Sequence, residues 1–189
     1  MIQSEDNFRV ALILGGTRSG KSRYALNLAE RRPGPRLYLA TAEAGDAEMA
    51  ERIARHRRER GEAWDTQEVP LDLPEALAGA QGKYRVILID CLTLWLSNLL
   101  GRSRGGAGLE GATARLMAVL GSGSTPVILV SNEVGWGIVP DNPLAREFRD
   151  EVGLLHQRLG EVADMVVLVV AGLPLILKSP QLQGGKRGI

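Results

Sequence analysis

The chain has one cysteine, Cys91, in 189 residues, so no internal disulfide can form. That usage fits a cytoplasmic setting, which is the expected one. Aromatic residues are scarce at 4%, yet hydrophobic residues reach 44% and charged ones 24%, a balance that excludes a disordered chain. An excess of one charge sign is also missing, since 23 Lys+Arg against 22 Asp+Glu leave a formal net charge of +1. Nothing global therefore points to nucleic acid or an anionic membrane surface as partner. Long apolar runs are lacking too. The longest, Met165–Leu177, contains Gly172 and Pro174 and falls short of the ~18 residues a membrane helix needs. The opening MIQSEDNF is polar and acidic, so no signal peptide is expected there. The length suits one domain over residues 1–189, with a core from about 9 to 178 and loose ends outside it.

Short apolar runs alternate with longer amphipathic stretches. The runs are Arg9–Leu14, Arg36–Ala40, Val86–Asp90, Val127–Ser131 and Met165–Ala171. Each is continuous rather than alternating, as in strands buried on both faces of a parallel sheet. Between them the periodicity predicts helices over Ser22–Arg32, Asp46–Arg60, Leu73–Gln81, Leu92–Leu100, Ala112–Leu120 and Pro143–Val162, the last with Asp141 or Asn142 as N-cap. Strand–helix alternation of this kind predicts an α/β, mostly parallel sheet with helices on both faces. The glycine-rich Gly101–Gly111 reads as a mobile surface loop and Ser179–Ile189 as a loose tail. The apolar residues Leu94, Trp95, Leu99 and Leu100 read as an exposed face suited to subunit contact.

Gly15-Gly16-Thr17-Arg18-Ser19-Gly20-Lys21-Ser22 fits the pattern G-x-x-x-x-G-K-[ST], directly after a strand and before a helix. Glycines let the backbone curl so that its N–H groups face phosphate oxygens. Lys21 then reaches the outer phosphates, and the Ser22 hydroxyl is a ligand for Mg²⁺. A P-loop NTPase-like, RecA-like domain follows. Asp90 closes the strand VILID where a carboxylate on the Mg²⁺ side belongs, although a strand-end Asp also serves as a plain helix cap. Cys91 beside it reads as a small core residue.

Two segments keep two readings each. EMAERIARHRRER, Glu48–Arg60, is either a solvated basic helix or a phosphate-facing surface on which neutral His56 attacks phosphorus while arginines hold the oxygens. The segment SNEVGWGIVPDN, Ser131–Asn142, leaves the carboxyl end of a strand, where ligand crevices open. It is either a structural turn or a loop folding over a substrate. His156 draws no functional assignment.

Taken together, GGTRSGKS, YLATAEAGDAEMAERIARHRRERGEAW, VILIDCLTLWLSNLL and SNEVGWGIVPDNPLAREFRDEVGLLHQRLGEVAD resemble the bifunctional adenosylcobinamide kinase/adenosylcobinamide-phosphate guanylyltransferase family of cobalamin biosynthesis. The likeness runs in order from about Val10 to Lys178. RSGKS alone is moderately specific, whereas its combination with RHRRER and NEVGWGIVP is highly so. The resemblance implies phosphorylation of adenosylcobinamide by ATP or GTP. It then implies transfer of GMP from GTP to adenosylcobinamide phosphate through a guanylyl-histidine. His56, in Arg52-Ile53-Ala54-Arg55-His56, matches the family's nucleophile; some members have a second histidine where this chain has Arg55. Nucleotide contacts are implied at Gly15–Ser22 and at Ala40, Thr41 and Ala42. Further contacts are implied at Arg57, Arg58, Glu59 and Arg60, and at Glu68 and Asp90. A homo-oligomer, a trimer, is implied as well. Rival readings are a kinase of another small metabolite, a GTP-dependent switch using Gly101–Gly111, and a member that keeps only guanylyl transfer.

Overall fold

The computed structural model describes residues 7–43, 51, 63–102 and 107–180. The strands are β1 (Val10–Gly15), β2 (Arg36–Ala40), β3 (Trp64–Glu68), β4 (Val86–Asp90), β5 (Val127–Asn132), β6 (Met165–Val170) and β7 (Leu173–Lys178). The helices among the described residues are α1 (Lys21–Glu30), α2 (Leu73–Ala80), α3 (Leu92–Arg102), α4 (Ala107–Ser122) and α5 (Pro143–Val162). Among the described residues one seven-stranded sheet runs in the order β3-β2-β4-β5-β1-β6-β7, and only the β6–β7 pairing is antiparallel.

The continuous apolar strands do what the sequence led one to expect. Val10, Leu12 and Leu14 of β1 point into one core layer, and Ala11 and Ile13 into the other. In β4, Ile87 and Ile89 join the first layer while Val86 and Leu88 join the second. Leucines and other apolar residues of α2 to α5 fill the first layer, whereas Ala25, Leu28 and Ala29 of α1 cover the second. Burial on both faces is why these strands carry no alternating polar residues. Asn142 is the residue that caps α5, its Oδ1 accepting from the Leu144 N–H at 2.8 Å with Pro143 in the first turn.

Several expectations change. β3, of sequence WDTQE, was not foreseen, because at the sheet edge only Trp64 is buried. β7 was read as part of one apolar stretch with β6; Ala171 and Gly172, at φ 53° and 80°, fold the chain back there. Pro174, which has no N–H to give a neighbouring strand, is tolerated because β7 lies at the edge of the sheet among the described residues. Gly101–Gly111 is not a long loop. Helix α3 extends through Arg102, α4 begins at Ala107, and Leu109, Ala112, Leu116 and Leu120 pin α4 to the core at helical spacing. The face proposed for subunit contact is less open than expected: Trp95 is fully buried, while half-buried Leu99 and Leu100 pack against the first layer and half-buried Leu94 against the second. Of the expected helix Asp46–Arg60, all but Glu51 lies outside the described residues.

Candidate nucleotide site

Every candidate that the structure describes stands at or next to the carboxyl edge of the sheet, where β1 passes into α1. Gly15 is the last residue of β1 and is buried between β5 and β6. A Cβ there would lie 2.5 Å from Ser19 Oγ and 2.6 Å from the Val169 carbonyl oxygen, so the close approach demands glycine. Gly16, Thr17 and Arg18 form the exposed crest of the loop. Arg18 at φ 57° and Gly20 at φ 96° make the left-handed turns that curl it. The Ser19 N–H closes the curl on the Gly16 carbonyl at 3.2 Å. Lys21 opens α1, is 8% exposed, and donates from Nζ to the same Gly16 carbonyl at 3.1 Å, which holds its ammonium over the loop. Ser22 follows, half-buried, in the first helical turn, where backbone N–H groups have no partner inside the helix.

On β4, two strand spacings or about 10 Å from β1, Asp90 presents a half-buried carboxylate whose Oδ2 accepts from the Tyr38 hydroxyl at 3.0 Å. Register puts Glu68 of β3, Ala40 of β2 and Asp90 of β4 in one row. Glu68 is exposed at the far end of that row, and Ala40 is buried. Thr41 is fully buried. Its hydroxyl accepts from the Cys91 N–H at 2.8 Å and donates to the Cys91 carbonyl at 2.7 Å, tying the ends of β2 and β4 together. Ala42 follows, half-buried. The Asp90–Cys91 peptide is cis.

Cys91 is buried, as expected. Burial first, and the Asp90 carboxylate second, push its thiol above the usual range; hydrogen bonds with Thr93 and Leu94 and the Lys21 charge pull the other way. Lys21 and Asp90 thus both act on one thiol, Lys21 following β1 and Asp90 ending β4 at the same edge of the sheet. Asn132 ends β5 between them and donates to Thr93 Oγ1 at 3.2 Å. Asn132 Oδ1 and Ser19 Oγ are shielded from solvent without a hydrogen-bond partner. Asn132 was singled out only as part of a loop; its position beside Gly15 needed the strand order, which no local pattern supplies. His56, Arg57, Arg58, Glu59 and Arg60 lie outside the described residues.

An arrangement of this kind cradles the outer phosphates of a nucleotide. The chain matches the model of the cobinamide kinase / cobinamide phosphate guanyltransferase family over residues 11–177. The chain belongs to that family. It is similar to the bifunctional adenosylcobalamin biosynthesis protein CobP of Pseudomonas aeruginosa, with 47% identity over 90% of this chain and 98% of that one. It is also similar to the protein CobU of Salmonella typhimurium, with 40% identity over 88% of this chain and 98% of the other. Among solved structures, the flagellar accessory protein FlaH of Methanocaldococcus jannaschii superposes with a TM-score of 0.52 at 14% identity, covering 93% of this chain and 80% of that one. A type III secretion ATPase superposes at 0.55 and 13% identity, covering 93% of this chain and 57% of that one. These two likenesses carry the fold only. Among the described residues no helix is long and apolar enough to cross a membrane.

The structure also revises the treatment of His156. It lies on the sheet-facing side of α5, its ring Nε2 2.7 Å from Ser131 Oγ and its Nδ1 3.6 Å from Glu133 Oε2. Burial lowers its pKa, and the Glu133 carboxylate opposes that shift only in part. Histidine in a helix of mixed polarity gave no local signal of this.

Proposed function

We propose that this chain carries out both reactions of its family. It transfers the γ-phosphoryl group of ATP or GTP to the side-chain hydroxyl of adenosylcobinamide, then GMP from GTP to the resulting phosphate with release of pyrophosphate. The observation that carries the proposal is the curled Gly15–Ser22 loop, with buried Lys21 held above it and Asp90 at the same carboxyl edge of the sheet. Phosphoryl transfer is mostly positioning and charge neutralisation, and these residues supply both. Loop N–H groups and the Lys21 ammonium hold the outer phosphates. Gly16, Thr17 and Arg18 are open to an incoming nucleotide.

Oxygen donors from one carboxylate, Asp90, and one hydroxyl, Ser22, fit Mg²⁺, which keeps several waters and phosphate oxygens in its shell and needs few protein ligands. Among the described residues no cluster of three acidic, cysteine or histidine side chains competes with that assignment. Held there, Mg²⁺ would offset the negative charge of the nucleotide phosphates. In the second reaction His56 is the nucleophile toward the α-phosphorus of GTP: its nitrogen forms the new bond as pyrophosphate leaves. The acceptor phosphate then displaces the histidine and takes GMP. Arg57, Arg58 and Arg60 supply positive charge beside it, Glu59 lies among them, and Glu68, Ala40, Thr41 and Ala42 wall the nucleotide side. The segment Glu133–Pro140 folds over the acceptor. Its support is the exposed apolar surface of Trp136, Ile138 and Val139 at the same sheet edge as the phosphate loop. One domain in a cytoplasmic homotrimer is the setting that the family resemblance supports. The exposed Leu173, Leu175 and Leu177 of edge strand β7 are apolar surface for a second copy to cover; a stable, active monomer in sedimentation would exclude it.

The test is incubation with α-labelled GTP, then with adenosylcobinamide phosphate. The expected result is a protein label that is labile in acid and stable in base, that passes to the acceptor, and that His56→Ala lacks while still phosphorylating adenosylcobinamide. A label surviving in His56→Ala, or mapping to Lys21 or Ser22, overturns the two-step reading.

A further inference from the structure

His156 is a largely shielded, titratable side chain that neither reaction uses. It belongs to the inner face of α5, with Val152, Leu155 and Leu159 buried alongside at helical spacing. Its ring reaches out of that apolar face to two residues of one short stretch, Ser131 and Glu133. Ser131 is fully buried and lies 2.7 Å from Nε2. Glu133 lies 3.6 Å from Nδ1, too long for a hydrogen bond but close enough for the carboxylate to orient the ring. With Nδ1–H turned toward the carboxylate, Nε2 accepts from the Ser131 hydroxyl, the tautomer that satisfies both neighbours.

Glu133 passes this on in two directions. Its backbone N–H donates to the Gly15 carbonyl of the phosphate loop at 3.0 Å, and its Oε1 accepts from the Gly135 N–H at 2.9 Å, immediately before Trp136. Beyond the apolar crest, Arg146 of α5 donates to the carbonyls of Pro140 and Asp141, both at 2.8 Å. The exposed crest, with Trp136 at 74% and Ile138 at 98% exposure, is therefore held at both ends by α5. A segment that displays large apolar side chains to water keeps its shape only if its backbone is fixed from beneath.

We infer that His156 is a positioning residue: through Ser131 and Glu133 it sets the place of the Trp136–Val139 crest relative to the phosphate loop, and so the binding of the corrinoid acceptor. The inference rests on the reading that this crest faces the acceptor. The experiment compares steady-state kinase kinetics of Trp136→Ala, His156→Ala and His156→Gln, varying adenosylcobinamide and nucleotide separately. Trp136→Ala raises the acceptor KM. His156→Ala raises it by about tenfold, the scale of a lost buried hydrogen bond, with the nucleotide KM within twofold of wild type. His156→Gln, which keeps a side-chain donor and acceptor at similar reach, recovers most of that loss. If His156→Ala does not fold, Glu133→Ala, whose side chain lies nearer the surface, carries the same expectation. An unchanged acceptor KM in Trp136→Ala defeats the reading of the crest and this inference with it. A raised KM in Trp136→Ala beside an unchanged one in His156→Ala or Glu133→Ala defeats the inference alone. So does a His156→Ala defect shared equally by both substrates, or one that glutamine fails to repair; either marks a merely structural histidine.

Discussion

Replacing Gly15 by alanine adds one methyl group to a place where the structure leaves none. The new carbon would sit 2.5 Å from Ser19 Oγ and 2.6 Å from the carbonyl oxygen of Val169. The serine hydroxyl is the end of a short side chain and can turn away. The Val169 carbonyl cannot, because Val169 belongs to β6, which is paired with β1 on one side and β7 on the other. Separating the two strands locally is overpacking of a tight interior, worth about 1–3 kcal/mol. For a chain of this size that lowers Tm by roughly 2–12 °C.

Gly16 is the internal control. An added Cβ there meets nothing within 4 Å, and its φ lies outside the left-handed range. Gly16→Ala should leave Tm unchanged or raise it slightly, since restricting the unfolded chain contributes about 0.4–1 kcal/mol. Thermal unfolding followed by circular dichroism compares the two, and nucleotide titration asks whether the displaced loop still binds. The double variant Gly15→Ala/Ser19→Ala isolates the deciding atom, because removing the hydroxyl should not restore stability. Equal melting of Gly15→Ala and Gly16→Ala, or full rescue by Ser19→Ala, would refute the reasoning.

Lys21→Ala should lower kinase turnover by more than tenfold through loss of one charge on the outer phosphates; a rate within tenfold of wild type removes Lys21 from the machinery. Asp90→Asn should abolish most of the Mg²⁺ dependence without unfolding, because a carboxamide oxygen can still accept from Tyr38. A melting curve that shifts while metal dependence persists would instead identify Asp90 as a structural cap. Folded His156 resists protonation below its ordinary pKa of 6.5, whereas the unfolded chain takes up the proton. Its contribution is therefore intact above about pH 6.5 and lost progressively as pH falls below that value. In urea titrations across that range, His156→Gln should show a shallower loss of stability than wild type, and identical slopes would remove the histidine from the acid response.

What the sequence disclosed and what it concealed divide along a physical line. The five central strands were legible because burial on both faces leaves only apolar residues, a signal that survives without partners. Helix α5 was legible at its start because Asn142 and Pro143 mark it by local chemistry. Edge elements were not. In β3, Trp64 is the one buried residue of five, so no period of two could emerge. Only the start of helix α4 was concealed, by Gly108 and Gly111, whose low helix propensity is overridden once Leu109 and Ala112 enter the core. The phosphate loop could be read from eight consecutive residues. The places of Asn132 and His156 could not, since each depends on which strands and helices lie side by side.

The phosphate loop itself shows why a local motif is an incomplete description of a site. Its pattern supplies glycines at Gly15 and Gly20, yet Arg18 also holds a left-handed φ of 57°, which for a residue with a side chain costs about 1–3 kcal/mol. Something outside the motif must fix that conformation. From one side the Gly15 carbonyl accepts from the Glu133 N–H. From the other, the Ser19 carbonyl accepts from the N–H of Gly172 at 2.8 Å, at the tip of the β6–β7 hairpin. A Cβ on Gly20 would lie 3.2 Å from the Gly172 Cα, so turn and loop are in direct backbone contact. The hairpin is built from the least conspicuous part of the sequence, an apolar stretch interrupted by glycine and proline. Its left-handed Ala171–Gly172 turn nonetheless presents the N–H that holds the strained loop closed. The loop's geometry is thus a property of three segments far apart in the chain, of which the eight-residue motif is only one.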